Sequence, residues 1–232
     1  MLNKNYFIIP LLIAVGIFTS CSSNNDWDRY GIKGEVKTFL EKNYDAEMGL
    51  EGWEKGNIKH YGYNKVLFDK NGNYKWLEYR DDGNGLSGKL IPKREKGKVI
   101  EESYYNEGGE LISKTTIIHN FNDELDFTVF DSDGEKTSQG KSFFKNNRIS
   151  KQEYQTFEDN KIKNEYSIVF EYDKEGNLIS QKQIDKKGET TYFFRYKYIS
   201  FDDNNNWTKR LDYNSQEGEA PNKITIREYE YY

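Results

Sequence analysis

Few side chains in this 232-residue chain have the chemistry for catalysis. His60 and His119 are its two imidazoles and Cys21 its one thiol. A Ser-His-Asp site needs three groups that meet in space, and nothing local sets either histidine beside a nucleophile. The G-x-S-x-G turn that exposes an activated serine is missing from the sequence. Both histidines read as strand-face residues, and the chain reads as non-enzymatic. Carboxylates are plentiful, at 39 Asp and Glu. An acid pair at the ~5–9 Å separation of glycosidases therefore stays open, but abundance singles out no pair. One cysteine excludes a disulfide framework and a cysteine-rich zinc site.

Ligand-binding residue types are equally sparse. Asp131-Ser132-Asp133-Gly134-Glu135 matches the opening of an EF-hand calcium loop, which needs a Glu at its twelfth position. Counting from Asp131, that position is Ser142, and the loop reads as an Asx turn without a metal. No cofactor is expected. Lys93-Arg94-Glu95-Lys96-Gly97-Lys98 is a basic cluster at an expected hairpin tip and reads as a solvated turn. With a net charge of −5 and a pI near 5.3, the chain lacks the basic face of a nucleic-acid binder. Among Trp27, Trp53, Trp76 and Trp207, an exposed ring would serve as a stacking platform for a glycan or an anchor for a protein. A ring within a sheet packs across strands instead. Trp207 follows a recurring turn and reads as structural, so Trp53 and Trp76 are the binding candidates.

The elements that must hold these residues follow from the turns. Gly, Asn or Asp punctuates the chain at 72, 83, 97, 108, 123, 134, 147, 160, 176, 188, 205 and 218, the short spacing of β-hairpins. Between turns the pattern has period two. Tyr166, Ile168, Phe170 and Tyr172 share one face; Tyr192, Phe194, Tyr196 and Tyr198 share another; and Thr225, Arg227, Tyr229 and Tyr231 alternate with Ile224, Ile226, Glu228 and Glu230. With 16% aromatic residues, the core is expected to be Tyr and Phe rungs stacked across strands. The fold class is all-β: an aromatic-rich antiparallel meander of repeated hairpins, as a curved open sheet or partly closed barrel. Residues 46–57 read as a polar loop or insertion carrying Trp53, Pro92 and Pro221 as turn-proximal, and the C-terminal strand as an edge.

The turns also repeat in kind. Asp69, Gly72 and Asn73 in Phe68-Asp69-Lys70-Asn71-Gly72-Asn73 match Asp173, Gly176 and Asn177, and again Asp202, Asn205 and Asn206, where Asn replaces Gly. Asn is the next residue after Gly to tolerate positive φ, and the leading Asp can close the turn onto backbone amides. Weaker copies begin at Asp131 and Asp185. Turns taken in pairs recur as one hairpin per unit. This aromatic-Asp-x-x-Gly-Asn turn resembles the YD repeat of the RHS family. With Asn206-Trp207-Thr208-Lys209-Arg210 and the ending Ile226–Tyr232, it also resembles short Bacteroidetes lipoproteins. The likeness spans roughly residues 60–232 and implies architecture, not activity; a chain this short cannot wind a shell around a cargo as RHS arrays do.

The N-terminus reads as an address. Lys4 precedes an apolar run from Tyr6 to Phe18, too short for a ~20-residue membrane span but suited to a signal peptide. Phe18-Thr19-Ser20-Cys21 resembles the bacterial lipobox, with Phe18 where Leu is usual. The resemblance implies cleavage before Cys21 and its lipidation; two or more acyl chains give stable anchoring. Ser22 favours the outer membrane by analogy. The expected organisation is a signal peptide at 1–20, a lipidated Cys and polar tether at 21–28, and one repeat domain at 29–232. The functional expectation is a non-catalytic, lipid-anchored envelope protein presenting a β-repeat surface to a protein or glycan. An envelope-anchored immunity protein against a toxin and a carboxylate-dependent glycan hydrolase are the alternatives.

Overall fold

The computed structural model describes residues 25–232 except 121, 122 and 216, and excludes the side chains of residues 60 and 61. The expected signal peptide and Cys21 lie outside the described residues. Among the described residues, one short helix, α1 (Asp26–Arg29), precedes fourteen strands. They are β1 (Val36–Gly49), β2 (Gly52–Phe68), β3 (Tyr74–Arg80), β4 (Leu86–Glu95) and β5 (Lys98–Asn106). Next come β6 (Leu111–His119), β7 (Glu124–Asp131), β8 (Lys136–Lys145), β9 (Arg148–Glu158) and β10 (Lys161–Tyr172). The last are β11 (Leu178–Asp185), β12 (Thr190–Phe201), β13 (Trp207–Tyr213) and β14 (Lys223–Tyr231).

The turns build this order. All twelve expected turn centres fall in connections between strands. In the recurring turn, the leading carboxylate bonds amides two and four residues on. Asp69 Oδ1 accepts from Asn71 N (2.8 Å) and Asn73 N (3.0 Å), and Asp202 Oδ1 from Asn204 N (3.0 Å) and Asn206 N (2.8 Å). Asp173, Asp131 and Asp185 repeat the bond to the fourth residue, as do Asp81 and Asn106, which the sequence did not single out. Gly72 has φ 80° and Asn205 φ 60°, so Asn205 stands where positive φ is required. Asp131 closes its turn onto Asp133 N and Glu135 N, as an Asx turn does.

Each strand pairs antiparallel with the next, and β14 pairs with β1 from Val36↔Tyr231 to Asp45↔Lys223, so the sheet is a closed barrel. The all-β hairpin meander is therefore as expected, and its closure is complete. The expected C-terminal edge is corrected: β14 is covered by β1, with Lys42–Glu228 (2.5 Å), Lys37–Glu230 (2.6 Å) and Arg227–Glu41 (2.8 Å) pairs across the seam. The expected loop at 46–57 is a second correction. It is the end of the β1–β2 hairpin, turning at Leu50-Glu51, with Met48↔Trp53 paired. Pro92 lies within β4, opposite Glu102 of β5, where β4 has run past its last β3 pair at Leu77↔Leu90. A residue without an N–H is tolerated on such a one-sided stretch.

Alternation sorts the two faces of the wall. Inside, one cluster joins Phe39, Val66, Phe68, Tyr74, Leu77, Val99, Ile117, Leu125, Phe127, Tyr154, Ile168 and Phe170. Tyr154 stacks on Tyr166 (5.1 Å, 14°) and meets Phe127 edge-on (5.1 Å), the expected aromatic rungs. Outside, cross-strand ion pairs run around much of the ring: Lys42–Glu228, Lys89–Glu78, Lys114–Glu101, Lys141–Glu124 and Lys186–Glu165. A lipid-facing Lys or Arg at mid-membrane costs about 2–4 kcal/mol, a cost that each of these outward pairs would carry in a bilayer and does not carry in water. Ile224 and Ile226 also point outward, against Leu211 and Tyr213, where the β1–β2 hairpin folds Ala46 and Trp53 over them.

One mouth of the barrel is strapped shut by residues 25–35. The Asp26 amide donates to Gly72 O (2.9 Å) and Trp27 Nε1 to Val36 O (2.8 Å). Lys33 N donates to Asn206 Oδ1, and Asn206 Nδ2 to Lys33 O, both at 2.7 Å. A side chain at Gly72 would collide with the Trp27 ring. The acidic end of the expected tether, Asp26-Trp27-Asp28, is thus part of the fold: Asp26 is 2% exposed because backbone and arginine groups satisfy its carboxylate.

Candidate functional site

Three places in the barrel gather polar chemistry, and two of them are sealed. Inside, on β12, β13, β14 and β1, Arg227 lies between the rings of Phe39 (4.5 Å) and Trp207 (4.0 Å) and bonds Glu41. Arg210 covers Tyr196 (4.4 Å) and grips Asp212 through Nε (2.6 Å) and Nη2 (3.1 Å). Asp212 also accepts from Thr225 Oγ1 and pairs with Lys223, both at 3.0 Å. Burial alone raises the Asp212 carboxyl, but Arg210 and Lys223 outweigh it and hold it at about 2. Every charge here has an opposite partner, and Arg227, Arg210 and Asp212 have an aromatic or hydroxyl neighbour besides, which is how buried ions are retained. The network ties the seam of the barrel.

The second lies beneath the strap. Asp26 Oδ2 accepts from Tyr74 N (2.8 Å) and pairs with Arg94, while Tyr74 OH bonds Glu102. Arg29 and Arg94 lie over the Tyr74 ring at 5.7 and 5.5 Å. Burial pushes the Glu102 carboxyl up to about 8, against the pull of Arg29. Arg94, expected in a solvated basic tip, is corrected here: it reaches in because Asp26 presents a buried carboxylate.

The third is open. A cleft of about 600 Å³ lies across β7–β11, lined by Gln139, Lys141, Glu153, Gln155, Glu165 and Lys186 among others. Its outward side chains sit in two rows set by the register Thr128↔Gln139↔Gln155↔Glu165 and Asp126↔Lys141↔Glu153↔Ser167. Between them runs the backbone of Phe127, Gly140, Tyr154 and Tyr166, with the Phe127, Tyr154 and Tyr166 rings turned inward. The first row is a continuous ladder. Lys136 Nζ donates to Gln139 Oε1 (3.1 Å), Gln139 Nε2 to Gln155 Oε1 (2.8 Å), Gln155 Nε2 to Glu165 Oε1 (2.9 Å), and Lys186 closes on Glu165 Oε2. The second row is paired too, Lys141 with Glu124 (3.3 Å) and Lys151 with Glu153 (2.7 Å). Lys186, then Gln155, holds the Glu165 carboxyl below its usual range. The arrangement offers fixed amides, carboxylates and ammonium groups to a polar ligand. A hydrolytic acid needs its pKa raised, which this environment does not supply.

Trp53 is half-buried in the outer patch against Leu211, Tyr213 and Ile224, and Lys209 Nζ bonds its carbonyl (3.5 Å). Trp76 is half-buried on β3 under Lys89 Nζ, 4.5 Å from the ring centroid. Neither lines the cleft. Trp27 and Trp207 pack in the interior. His119 Nε2 contacts Val99 O (2.8 Å), and burial lowers its pKa; the His60 side chain is outside the described residues. Among the described residues, no three His, Cys, Asp or Glu gather as metal ligands. Gln139, Gln155 and Glu165 are not among the residues expected from sequence; they carry no local signal and meet only through the pairing register of β8, β9 and β10.

No family model matches the chain, and no curated protein matches it. Among solved structures, a porin-like protein from Bacteroides uniformis aligns over 85% of this chain and 99% of its own, at 10% identity and a TM-score of 0.44. The TcdB2-TccC3-TEV structure aligns over 81% of this chain and 11% of its own, at 11% identity and a TM-score of 0.23. A TcdB2-TccC3 structure without the hypervariable C-terminal region aligns at 11% identity and a TM-score of 0.22, over 80% of this chain and 11% of its own.

Proposed function

We propose that this chain is a non-catalytic binding module of a bacterial envelope, immersed in water, held to the outer membrane by a lipid on Cys21, and binding a protein or glycan in the outer cleft. The observation that carries it is the ladder Lys136–Gln139–Gln155–Glu165–Lys186 on an otherwise ion-paired outer wall. A ladder tied at both ends holds its amides in place before a ligand arrives, and preorganisation lowers the cost of binding. Charge neutralised within the cleft favours a polar, uncharged partner surface, such as sugar hydroxyls or peptide groups. Carboxylate hydrolysis fits less well. Glu165 is held ionised, and Glu102, with its raised pKa, is 5% exposed beneath the strap.

The test pairs co-purification from gently solubilised envelopes with a glycan panel, using wild type and the Gln155→Ala/Glu165→Ala variant. The proposal expects a protein or glycan that binds wild type at least about tenfold more tightly, the worth of one or two hydrogen bonds. Equal recovery by both proteins, with no panel member bound, contradicts it.

A further inference from the structure

Strands that alternate in direction put the thirteen hairpin turns at two ends, and the strap marks one of them. The strap end holds the turns at 69–73, 96–97, 146–147, 173–177 and 202–206, the connection that includes Asn120 and Asp123, and both described chain ends. From α1 to Val36 the strap is fastened to Gly72, Arg94 and Asn206, on three different hairpins. Cys21 precedes Asn25 by four residues, a reach of about 14 Å at full extension.

The two ends differ in charge. Each of the seven far-end turns carries an acid: Glu51, Asp81, Glu107, Asp133, Asp159, Glu189 and Glu217. At the strap end, two turns carry none. With their flanking strand residues both tips are net basic: Lys93, Lys96 and Lys98 stand with one acid, Glu95, at the β4–β5 tip, and Lys145 and Arg148 at the β8–β9 tip. Exposed apolar side chains occur at both ends, Phe201 and Tyr232 near the strap and Met48 and Leu50 far from it. Tether length and charge, not apolar insertion, therefore set the polarity.

We infer that the strap end is a membrane-seating face: its basic β4–β5 and β8–β9 tips rest on anionic lipid headgroups, and the acidic far end points into water. This rests on the lipid anchor at Cys21 in the function proposed above. Like charge keeps the far end off an anionic surface while lysines near it are attracted, an effect confined to about a Debye length. The short tether keeps the basic tips within that range. The cleft is then presented away from the bilayer, since Gln139, Gln155 and Glu165 lie toward the far-end turns of their hairpins.

The test uses lipidated protein in phosphatidylcholine vesicles containing phosphatidylglycerol and a nickel-chelating lipid. Acylated Cys21 cannot take a thiol label, so single nitroxides enter at Lys96→Cys or Asn147→Cys near the strap, and at Glu51→Cys or Asp133→Cys far from it. The inference expects headgroup nickel to relax both near labels several-fold more than both far ones. Equal relaxation on protein whose Cys21 is acylated by mass spectrometry overturns the seating alone. An unmodified Cys21 overturns the anchor and the seating together.

Discussion

The Asp26 carboxylate accepts the Tyr74 backbone N–H at 2.8 Å across 48 residues of sequence, inside the mouth of the barrel. The same carboxylate holds Arg94 of β4, and the Asp26 amide holds the β2–β3 turn at Gly72. A four-residue helix has little stability of its own. This one persists because its first side chain satisfies groups that the barrel leaves open. Asp26→Ala leaves Arg94 and the Tyr74 amide without that acceptor. Loss of one partner of a buried ion pair costs about 3 kcal/mol, so the variant is expected to unfold earlier in urea and to be cut by protease within residues 25–35. Unchanged stability and resistance would show that the strap is not held by Asp26.

Glu102 sets a pH dependence of opposite sign to that of an ordinary carboxylate. Its pKa is raised from 4.5 to about 8 by burial, so the folded chain holds a proton that the unfolded chain releases. The resulting stability is complete below pH 4.5, declines as pH rises toward 8, and stays lost above it. Glu102→Gln keeps a polar group beside Tyr74 and cannot ionise. Urea unfolding between pH 5 and 8.5 should slope downward in wild type and be flatter in the variant. Parallel slopes would contradict a protonated Glu102.

Asp212 works the other way. Its carboxyl is held at about 2, against 3.8 in the unfolded chain. The roughly 2 kcal/mol this supplies is present above pH 3.8 and disappears as pH falls through 2. Asp212→Asn should cost at least that much at pH 7, since Arg210 and Lys223 lose their partner, and much less at pH 2. A penalty independent of pH would remove the ion pairs from the account.

Asn205 tests the turn code. At φ 60°, Asn205→Gly should be neutral or slightly stabilising. Asn205→Val should cost about 1–2 kcal/mol, because a β-branched residue is strained there. Thermal unfolding of the two variants checks the order, and equal midpoints would contradict it.

These contrasts also show why some features are legible in sequence and others are not. Turns are local: Asp69, Gly72 and Asn73 write their geometry within five residues, so their positions and the antiparallel meander follow directly. Closure is not local, because Glu228 and Glu230 meet Lys42 and Lys37 from the opposite end of the chain. The β1–β2 hairpin lacked an Asn-Gly or Asp-Gly signal at Leu50-Glu51, and its mixed polarity reflects an outer face buried locally by Leu211, Tyr213 and Ile224. Aromatic residues are the stronger binding signal in sequence, yet the cleft is lined by polar and charged side chains whose alignment depends on the register of four strands.

The central claim is that the barrel stands in water and is held to the envelope only through Cys21. The most direct measurement is membrane fractionation with alkaline carbonate extraction of wild type and Cys21→Ser. The account predicts that wild type stays with the membrane, while the Cys21→Ser protein appears in the soluble fraction, folded and rich in β-structure. A Cys21→Ser protein that remains in the carbonate-washed membrane would contradict the account and make the outer wall of the barrel a lipid-facing surface.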